Sequence, residues 1–135
     1  MFYKSFKGNQ ISALGLGVLR MPSVPGEPDR IDREAAQQVV DRAIELGVNY
    51  FDTAHPYIQG KSEQAVRECL SSRYPRDSYI LTNKLSFWCF EKEEDIRPLF
   101  QQQLDACGVD YFDFYLMHAQ DKNSFRKYKE IRAYE

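Results

Sequence analysis

Several features that define large classes of proteins are missing from this sequence of 135 residues. Its three cysteines, Cys69, Cys89 and Cys107, are odd in number and far apart, so neither a disulfide framework nor a zinc site is expected. No apolar run reaches the roughly 18 residues that a membrane-spanning helix needs, and Met1 is followed by Phe-Tyr-Lys-Ser rather than by a signal peptide. These absences predict a reduced, cytoplasmic protein with no membrane partner.

An excess of positive charge is also missing. The 18 Lys and Arg residues are offset by 20 Asp and Glu residues, which gives a formal net charge of −2. This balance offers no basic surface to nucleic acid or to an anionic membrane, so neither is expected as a partner. The sequence is instead 43% hydrophobic and 14% aromatic, with the aromatic residues spread through predicted strands. Such a composition is typical of one globular domain with a packed core.

Two strands and a turn are predicted at the start of the chain. The segments 2–6 and 10–13 flank Lys7-Gly8-Asn9, where Gly8 or Asn9 can adopt a positive φ, so a β-hairpin is expected. Further on, Gly15-Leu16-Gly17 supplies only half of a dinucleotide-binding fingerprint, because Arg20 stands at the third glycine position. We interpret these glycines as sites of close backbone packing at the end of a strand.

Apolar strands and helical patterns alternate through the rest of the sequence. The strands are predicted at about 14–19, 48–51, 79–82 and 111–117, and the helices at about 32–46, 62–70, 93–106 and from 123 to the end of the chain. Asp32 and Ser62 are candidate N-caps, and Gly47 is a candidate C-terminal glycine. Helical spacing predicts an apolar side on each of the first two helices, formed by Ala36, Val39, Val40, Ala43 and Ile44 on the first and by Ala65, Val66, Cys69 and Leu70 on the second. The strands are too apolar to be exposed on one face, which predicts a parallel sheet with helical crossovers.

Two architectures fit this alternation: a doubly wound open sheet, or part of a (β/α)8 barrel. Polar side chains stand at successive predicted strand ends, namely Asp52, Lys84 and His118. Burying such groups is costly unless they meet in one pocket and satisfy one another. In a barrel the carboxyl ends of all strands face the same site, so the polar strand ends favour the barrel.

The motifs around these positions resemble the aldo-keto reductase family, in the family's order and spacing. They are Leu-Gly-Leu-Gly with Arg20-Met-Pro, Ala-Ile-Glu-Leu-Gly-Val-Asn-Tyr-Phe-Asp-Thr-Ala, Tyr57 with Gly-Lys-Ser-Glu, Thr-Asn-Lys84, and Gly-Val-Asp-Tyr-Phe-Asp-Phe-Tyr-Leu-Met-His118. The resemblance implies that residues 1–135 form the N-terminal half of a (β/α)8 TIM barrel, preceded by a β-hairpin and truncated within the fourth helix. It is closest to a bacterial branch whose members often carry an iron–sulfur domain, so a cluster is expected only if such a domain follows.

The resemblance also implies an activity and its residues. The family reduces carbonyl groups of small molecules with NADPH, and its catalytic tetrad falls on Asp52, Tyr57, Lys84 and His118. The expected cofactor contacts are Val18, Leu19 and Arg20 together with Asp52, and no metal is expected.

The chemistry of these residue types fits that activity. A phenol is a poor acid at neutral pH, and an adjacent ammonium group helps it by favouring the phenolate. A carboxylate would keep that ammonium charged, and an imidazole would polarise the carbonyl oxygen.

Each of these residues also has an ordinary structural interpretation. Asp52 could cap a turn, Lys84 could be a solvated loop residue, and His118 could be a hydrogen-bonded core histidine. His55 is expected to line the entrance of the pocket, and Phe87 and Trp88 could either line a substrate pocket or pack beneath their loop. It is the combination of three residues at matching strand ends with Tyr57 in the loop after Asp52 that predicts the site.

Two other functions stay open at this point. One is a metal-dependent barrel hydrolase that uses His55, His118 and Asp52, although the first strand ends in Gly-Val-Leu-Arg and lacks the His-x-His pair typical of that class. The other is a non-catalytic half-barrel that pairs with a complementary half. A complete barrel needs about 250 residues, so we expect the isolated chain to be unstable or oligomeric through open sheet edges, one of them the 112–117 strand, with little or no reductase activity.

Overall fold

The structure is a computed structural model, and it describes residues 1–134. A four-stranded parallel sheet is covered on one face by helices, and two small antiparallel hairpins lie outside it. The strands, in chain order, are β1 (Tyr3–Phe6), β2 (Asn9–Ser12), β3 (Leu16–Gly17), β4 (Ser23–Val24), β5 (Glu27–Ile31), β6 (Tyr50–Asp52), β7 (Ile80–Ser86) and β8 (Phe114–His118). The helices are α1 (Arg33–Glu45), α2 (Lys61–Val66), α3 (Ile96–Cys107) and α4 (Lys122–Glu130).

The sheet order β3-β6-β7-β8 follows the order of the chain, and every neighbouring pair is parallel. This consecutive order is that of a barrel segment rather than of a doubly wound sheet, in which the order reverses at a switch point. The prediction of a partial (β/α)8 barrel with an N-terminal hairpin is confirmed. The hairpin turn places Lys7 and Gly8 at positive φ, whereas Gly8 or Asn9 was predicted.

Two apolar clusters hold the helices on the sheet. The first joins Phe51 and Leu81 of the sheet to α1 and α2, whose apolar sides had been predicted from helical spacing. Ala65 and Val66 of α2 are buried, as are Cys69 and Leu70 of the π-helical turn Arg67–Ser71 that continues it, all as expected. On α1 the prediction is only partly right: Ala36 and Val40 are buried, but Val39 is 38% exposed. The second cluster packs Leu85, Phe90, Leu99 and Tyr128 between β7, α3 and α4.

Several predicted boundaries differ from the structure. The strand expected over 14–19 is limited to Leu16–Gly17, because the chain turns at once into a short 3₁₀ helix, Val18–Arg20. No strand was predicted between residues 20 and 32, where Pro22, Pro25 and Pro28 lie, but the structure forms the β4–β5 hairpin there. The fourth helix was expected to continue to the end of the chain, but it ends at Glu130.

The caps are also partly as predicted. Asp32 accepts a hydrogen bond from Ala35 N at 3.1 Å and caps α1, and Gly47 follows that helix with a φ of 84°. Ser62 is not an N-cap: the cap position of α2 is occupied by Gly60, and Ser62 lies inside the helix. Within residues 1–134, no helix is long and apolar enough to cross a membrane.

Candidate active site

Lys84 and Asp52 form a half-buried ion pair at the carboxyl end of the sheet. Asp52 is the last residue of β6, and Lys84 lies on β7, which continues four residues further than predicted. The Nζ atom of Lys84 lies 2.5 Å from Oδ1 of Asp52 and donates a second hydrogen bond to the carbonyl oxygen of Thr53 at 2.8 Å. The two side chains are 11% and 27% exposed, so the pair is partly withdrawn from water and each charge has a partner.

Tyr57 and His118 complete the group. The Lys84 Nζ atom lies 4.7 Å from the centroid of the Tyr57 ring. The hydroxyl oxygen of Tyr57 lies 3.5 Å from Nε2 of His118, and the two rings meet edge to face with their centroids 5.5 Å apart. The structure therefore brings all four predicted residues together, in the order Asp52, Lys84, Tyr57 and His118.

The backbone on either side of this group adopts an uncommon conformation. Directly after Tyr57, Ile58 and Gln59 have φ values of 50° and 53°, and Gly60 follows with 83°. Ala119, directly after His118, has a φ of 51°. Left-handed residues other than glycine are uncommon, above all for a β-branched side chain such as isoleucine, and they concentrate at functional sites. Nothing in the sequence indicated this conformation at Ile58 or Ala119.

His118 is held by a buried serine on the neighbouring strand. Its Nδ1 atom lies 2.7 Å from the hydroxyl oxygen of Ser86, whose side chain is fully buried. Burial lowers the pKa of His118, the positive charge of Lys84 lowers it further, and Asp52 opposes this shift in part. The ring is therefore a neutral imidazole near neutral pH.

A buried carboxylate lies behind the group. Glu63 of α2 is 1% exposed, and its two oxygens accept hydrogen bonds from His55 Nδ1 at 2.9 Å and from Asn83 Nδ2 at 2.8 Å. The hydrogen bond to Glu63 raises the pKa of His55, partial burial of the ring opposes the shift, and the negative charge of Glu63 adds to it. Glu63 thus links the loop that carries Tyr57 to the strand that carries Lys84.

The same network extends into α3 and β8. Asn83 Oδ1 accepts hydrogen bonds from Lys84 N at 2.8 Å and from Gln103 Nε2 at 3.2 Å. Gln103 also donates to the carbonyl oxygen of Lys84 at 3.0 Å and accepts from the Tyr115 hydroxyl at 2.5 Å. The backbone of Lys84 is therefore fixed on both sides by buried amides, which limits the positions that its ammonium group can reach.

The turn predicted to contact a cofactor is at the same end of the sheet. Val18 is buried in the first apolar cluster, and its carbonyl oxygen accepts a hydrogen bond from Ser62 at 3.0 Å. Leu19 and Arg20 are exposed. The turn thus offers one exposed cation, Arg20, which suits an anionic nucleotide, and one exposed apolar side chain, Leu19. The side chain of Val18 belongs to the core instead.

Aromatic rings border the group on the side of His118. Trp88 lies with its ring 5.0 Å from that of His118 and is 49% exposed. Phe87 meets Trp88 edge to face at 4.6 Å. Of the two interpretations of this loop, the exposure and position of Trp88 favour a pocket wall.

Several functional contacts were missed by the sequence analysis. Ser86 and Thr53 received no role, and Glu63 was noted only as part of a motif. A signal for Ser86 does exist: Thr82, Lys84 and Ser86 alternate with Asn83 and Leu85, and residues two apart on a strand share a face. The signal was hidden because the strand was expected to end before Ser86.

The part of the chain that the structure describes contains no set of metal ligands of the kind that a metal-dependent hydrolase needs. No group of three or more His, Cys, Asp or Glu residues within 1–134 could hold a metal ion. The Nδ1 atom of His55 is bonded to Glu63, and that of His118 to Ser86. The two histidines therefore serve different partners.

Comparison with known proteins agrees with this geometry. The chain belongs to the aldo/keto reductase family, whose family model matches residues 13–132. An aldo-keto reductase of Mycobacterium sp. (strain JLS) is 33% identical over 132 residues, which are 93% of this chain and 43% of the relative. Human aldo-keto reductase family 1 member C3 is 31% identical over 118 residues, 83% of this chain and 33% of that protein.

A solved structure gives the same result for the fold. Aldo-keto reductase AKR11C1 from Bacillus halodurans, in its holo form, superposes with a TM-score of 0.75 and 25% sequence identity, covering 99% of this chain and 47% of that one. The chain spans less than half the length of the relatives it matches. The described strands and helices therefore correspond to part of an aldo-keto reductase barrel.

Proposed function

We propose that this site reduces the carbonyl groups of small aldehydes or ketones with NADPH, and that Asp52, Tyr57, Lys84 and His118 are its catalytic residues. The observation that carries the proposal is the continuous chain of contacts from the Asp52 carboxylate through Lys84 and Tyr57 to His118. A carboxylate, an ammonium group, a phenol and an imidazole in this order can transfer one proton to a developing alkoxide.

Each residue has a distinct part in the proposed reaction. Tyr57 gives its hydroxyl proton to the carbonyl oxygen of the substrate. It is assigned this part because its hydroxyl lies beside His118 at the carboxyl end of the sheet. Lys84 stabilises the phenolate that remains, and Asp52 keeps the ammonium group charged and aimed. His118 donates a hydrogen bond from Nε2 to the carbonyl oxygen, which stabilises the negative charge that develops there.

The proposed cofactor is NADPH, which supplies the hydride when it is bound. Support comes from the exposed guanidinium of Arg20, which could bind a phosphate group, and from the position of this turn directly after Gly17, which pairs with Asp52 in the sheet. Among the similar structures, the aldo-keto reductase from Klebsiella pneumoniae is a complex with NADPH. Since Val18 is buried, the proposed contacts of this chain are Leu19, Arg20 and Asp52.

Transfer of an isotopic label tests the reaction at the low rates expected here. The chain is incubated with an aromatic aldehyde and NADPH that carries deuterium at the transferable position, and the alcohol is analysed by mass spectrometry. We expect labelled alcohol from the wild-type chain and at least about a hundredfold less from Tyr57→Phe, because that variant lacks the proton donor. Equal amounts from both, or no label above a protein-free control, would count against the proposal.

A binding role is the second candidate, and the edges of the sheet favour it. Among the described residues, β3 and β8 each pair on one side only, and Leu116 of β8 is 42% exposed. Unpaired edges promote association with other strands. Sedimentation at several concentrations tests this candidate: association that grows with concentration supports it, and a monomer with a sharp thermal transition contradicts it.

A further inference from the structure

We propose that Ser86 is a positioning residue of this site: its hydroxyl donates to Nδ1 of His118 and so holds the imidazole in the tautomer that carries its hydrogen on Nε2. The catalytic use of that hydrogen rests on the proposed function, whereas the contact between the Ser86 hydroxyl and Nδ1 of His118 is independent of it. The motifs that mark the site in the sequence include His118 and do not include Ser86.

The sheet register explains why the two side chains meet. Ser86 and His118 are the last residues of β7 and β8, and they are direct partners in the parallel pairing of these strands. Both side chains therefore leave the sheet on the same face, and the hydroxyl oxygen reaches Nδ1 at 2.7 Å. Because Ser86 is fully buried, water cannot replace this contact.

The surroundings of Ser86 fix the direction of the hydrogen bond. A buried hydroxyl needs an acceptor for its hydrogen. Besides His118, the Ser86 hydroxyl interacts with the thiol of Cys89; burial raises the pKa of that thiol, the negative charge of Glu63 adds to the effect, and Ser86 opposes it. The sulfur therefore keeps its hydrogen and is at most a weak acceptor. The unprotonated nitrogen of the imidazole is the stronger acceptor, so the Ser86 hydrogen goes to Nδ1.

The charge state of His118 makes the tautomer matter. Burial and Lys84 lower the pKa of His118, so at neutral pH the ring carries a single hydrogen. With Nδ1 accepting from Ser86, that hydrogen lies on Nε2, the atom 3.5 Å from the Tyr57 hydroxyl. In the opposite tautomer, Nε2 would be an acceptor and could not donate to a carbonyl oxygen.

Nitrogen NMR of the two imidazole rings tests this assignment. The chain has only two histidines, so a His55→Gln variant is enough to assign both rings. At about pH 8, above the reference pKa of histidine, long-range nitrogen–proton spectra distinguish the protonated nitrogen of each ring from the bare one. We expect His118 to show hydrogen on Nε2 alone; hydrogen on Nδ1 in the wild-type chain would overturn the proposal.

Variants of Ser86 separate positioning from packing. Ser86→Ala removes the donor, and we expect loss of the single tautomer in favour of a mixture, whereas Ser86→Thr keeps a hydroxyl and should keep hydrogen on Nε2. Ser71→Ala is the matched control, since it removes a hydroxyl that binds Cys107 O and does not contact either histidine. An unchanged tautomer in Ser86→Ala would overturn the proposal. Neither cofactor nor substrate is present, so this result is independent of whether NADPH binds.

Discussion

The ammonium nitrogen of Lys84 lies 2.5 Å from the carboxylate of Asp52, across two neighbouring parallel strands. The same nitrogen lies against the ring of Tyr57, so one cation connects the acid at the end of β6 to the phenol of the following loop. The ammonium group of Lys84 also donates a hydrogen bond to the carbonyl oxygen of Thr53. Its position depends on the sheet and on the loop together.

A double-mutant cycle should show strong energetic coupling between Lys84 and Asp52. Lys84→Met leaves a partly buried carboxylate without its cation, and Asp52→Asn leaves the ammonium group without its anion, so each is expected to lower the free energy of unfolding by about 1 to 3 kcal/mol. The double variant should lose less than the sum, by about 0.5 to 3 kcal/mol. Urea unfolding of the four proteins measures the coupling.

The matched control is the exposed pair Arg42–Glu45, with a 3.0 Å contact and side chains about two thirds exposed. The corresponding cycle, Arg42→Met with Glu45→Gln, should give a coupling below about 1 kcal/mol, because water screens exposed pairs. Equal coupling energies in the two cycles would contradict this expectation, because the partly buried Lys84–Asp52 pair would then be no stronger than an exposed pair.

The two histidines should titrate on opposite sides of the ordinary value. The pKa of His55 is raised, chiefly by its hydrogen bond to Glu63, and the pKa of His118 is lowered, chiefly by burial. Proton NMR titration of both rings checks this order. Lys84→Met should raise the pKa of His118, because it removes a nearby positive charge, and should leave that of His55 almost unchanged. The reverse order of titration would show that the two environments are misassigned.

The pair of Glu63 and His55 should give a pH-dependent contribution to stability. The pKa of His55 is higher in the folded protein than in the unfolded chain. The contribution is therefore complete below the unfolded pKa of about 6.5 and is lost as the pH rises through the folded pKa. We expect the stability advantage of the wild-type chain over Glu63→Gln to shrink across that range. Denaturant unfolding at a series of pH values measures it, with the exposed Glu94→Gln as control; a constant difference would contradict the pairing.

The two glycines of Gly15-Leu16-Gly17 should respond differently to alanine. A Cβ at Gly15 would lie 2.8 Å from Cδ1 of Tyr50, whereas a Cβ at Gly17 would meet nothing within 4 Å. Gly15→Ala is expected to cost about 1 to 3 kcal/mol through overpacking, and Gly17→Ala should be neutral or slightly stabilising. Thermal unfolding of both variants decides the matter. Equal loss at both positions would mean that backbone freedom, and not close packing, accounts for the glycines.

The sequence predicted the architecture because its signals are local and repeated. The alternation of apolar strands with helical patterns, Asp32 as a cap and Gly47 after α1 are all set by neighbouring residues. The positions of Asp52 and His118 at strand ends follow from the same alternation. These features can be derived without knowing the three-dimensional partners.

Other features depend on contacts that the chain makes only after folding. Ser62 has the residue type of an N-cap, but its hydroxyl is used by Val18 and Thr53 inside the fold. The partner of Ser86 is set by the register between β7 and β8, which no local pattern reveals. The left-handed conformation of Ile58 is imposed by its surroundings against its own preference.

Titration of the chain with NADPH, followed by the fluorescence of Trp88, tests the central claim most directly. Trp88 is the only tryptophan, and its ring lies 5.0 Å from that of His118, so a cofactor at the site would change its emission. We expect saturable quenching, weakened in Arg20→Gln and unchanged in the control Arg30→Gln, whose side chain pairs with Glu27. Absence of quenching at millimolar NADPH would contradict the assignment of this site to carbonyl reduction.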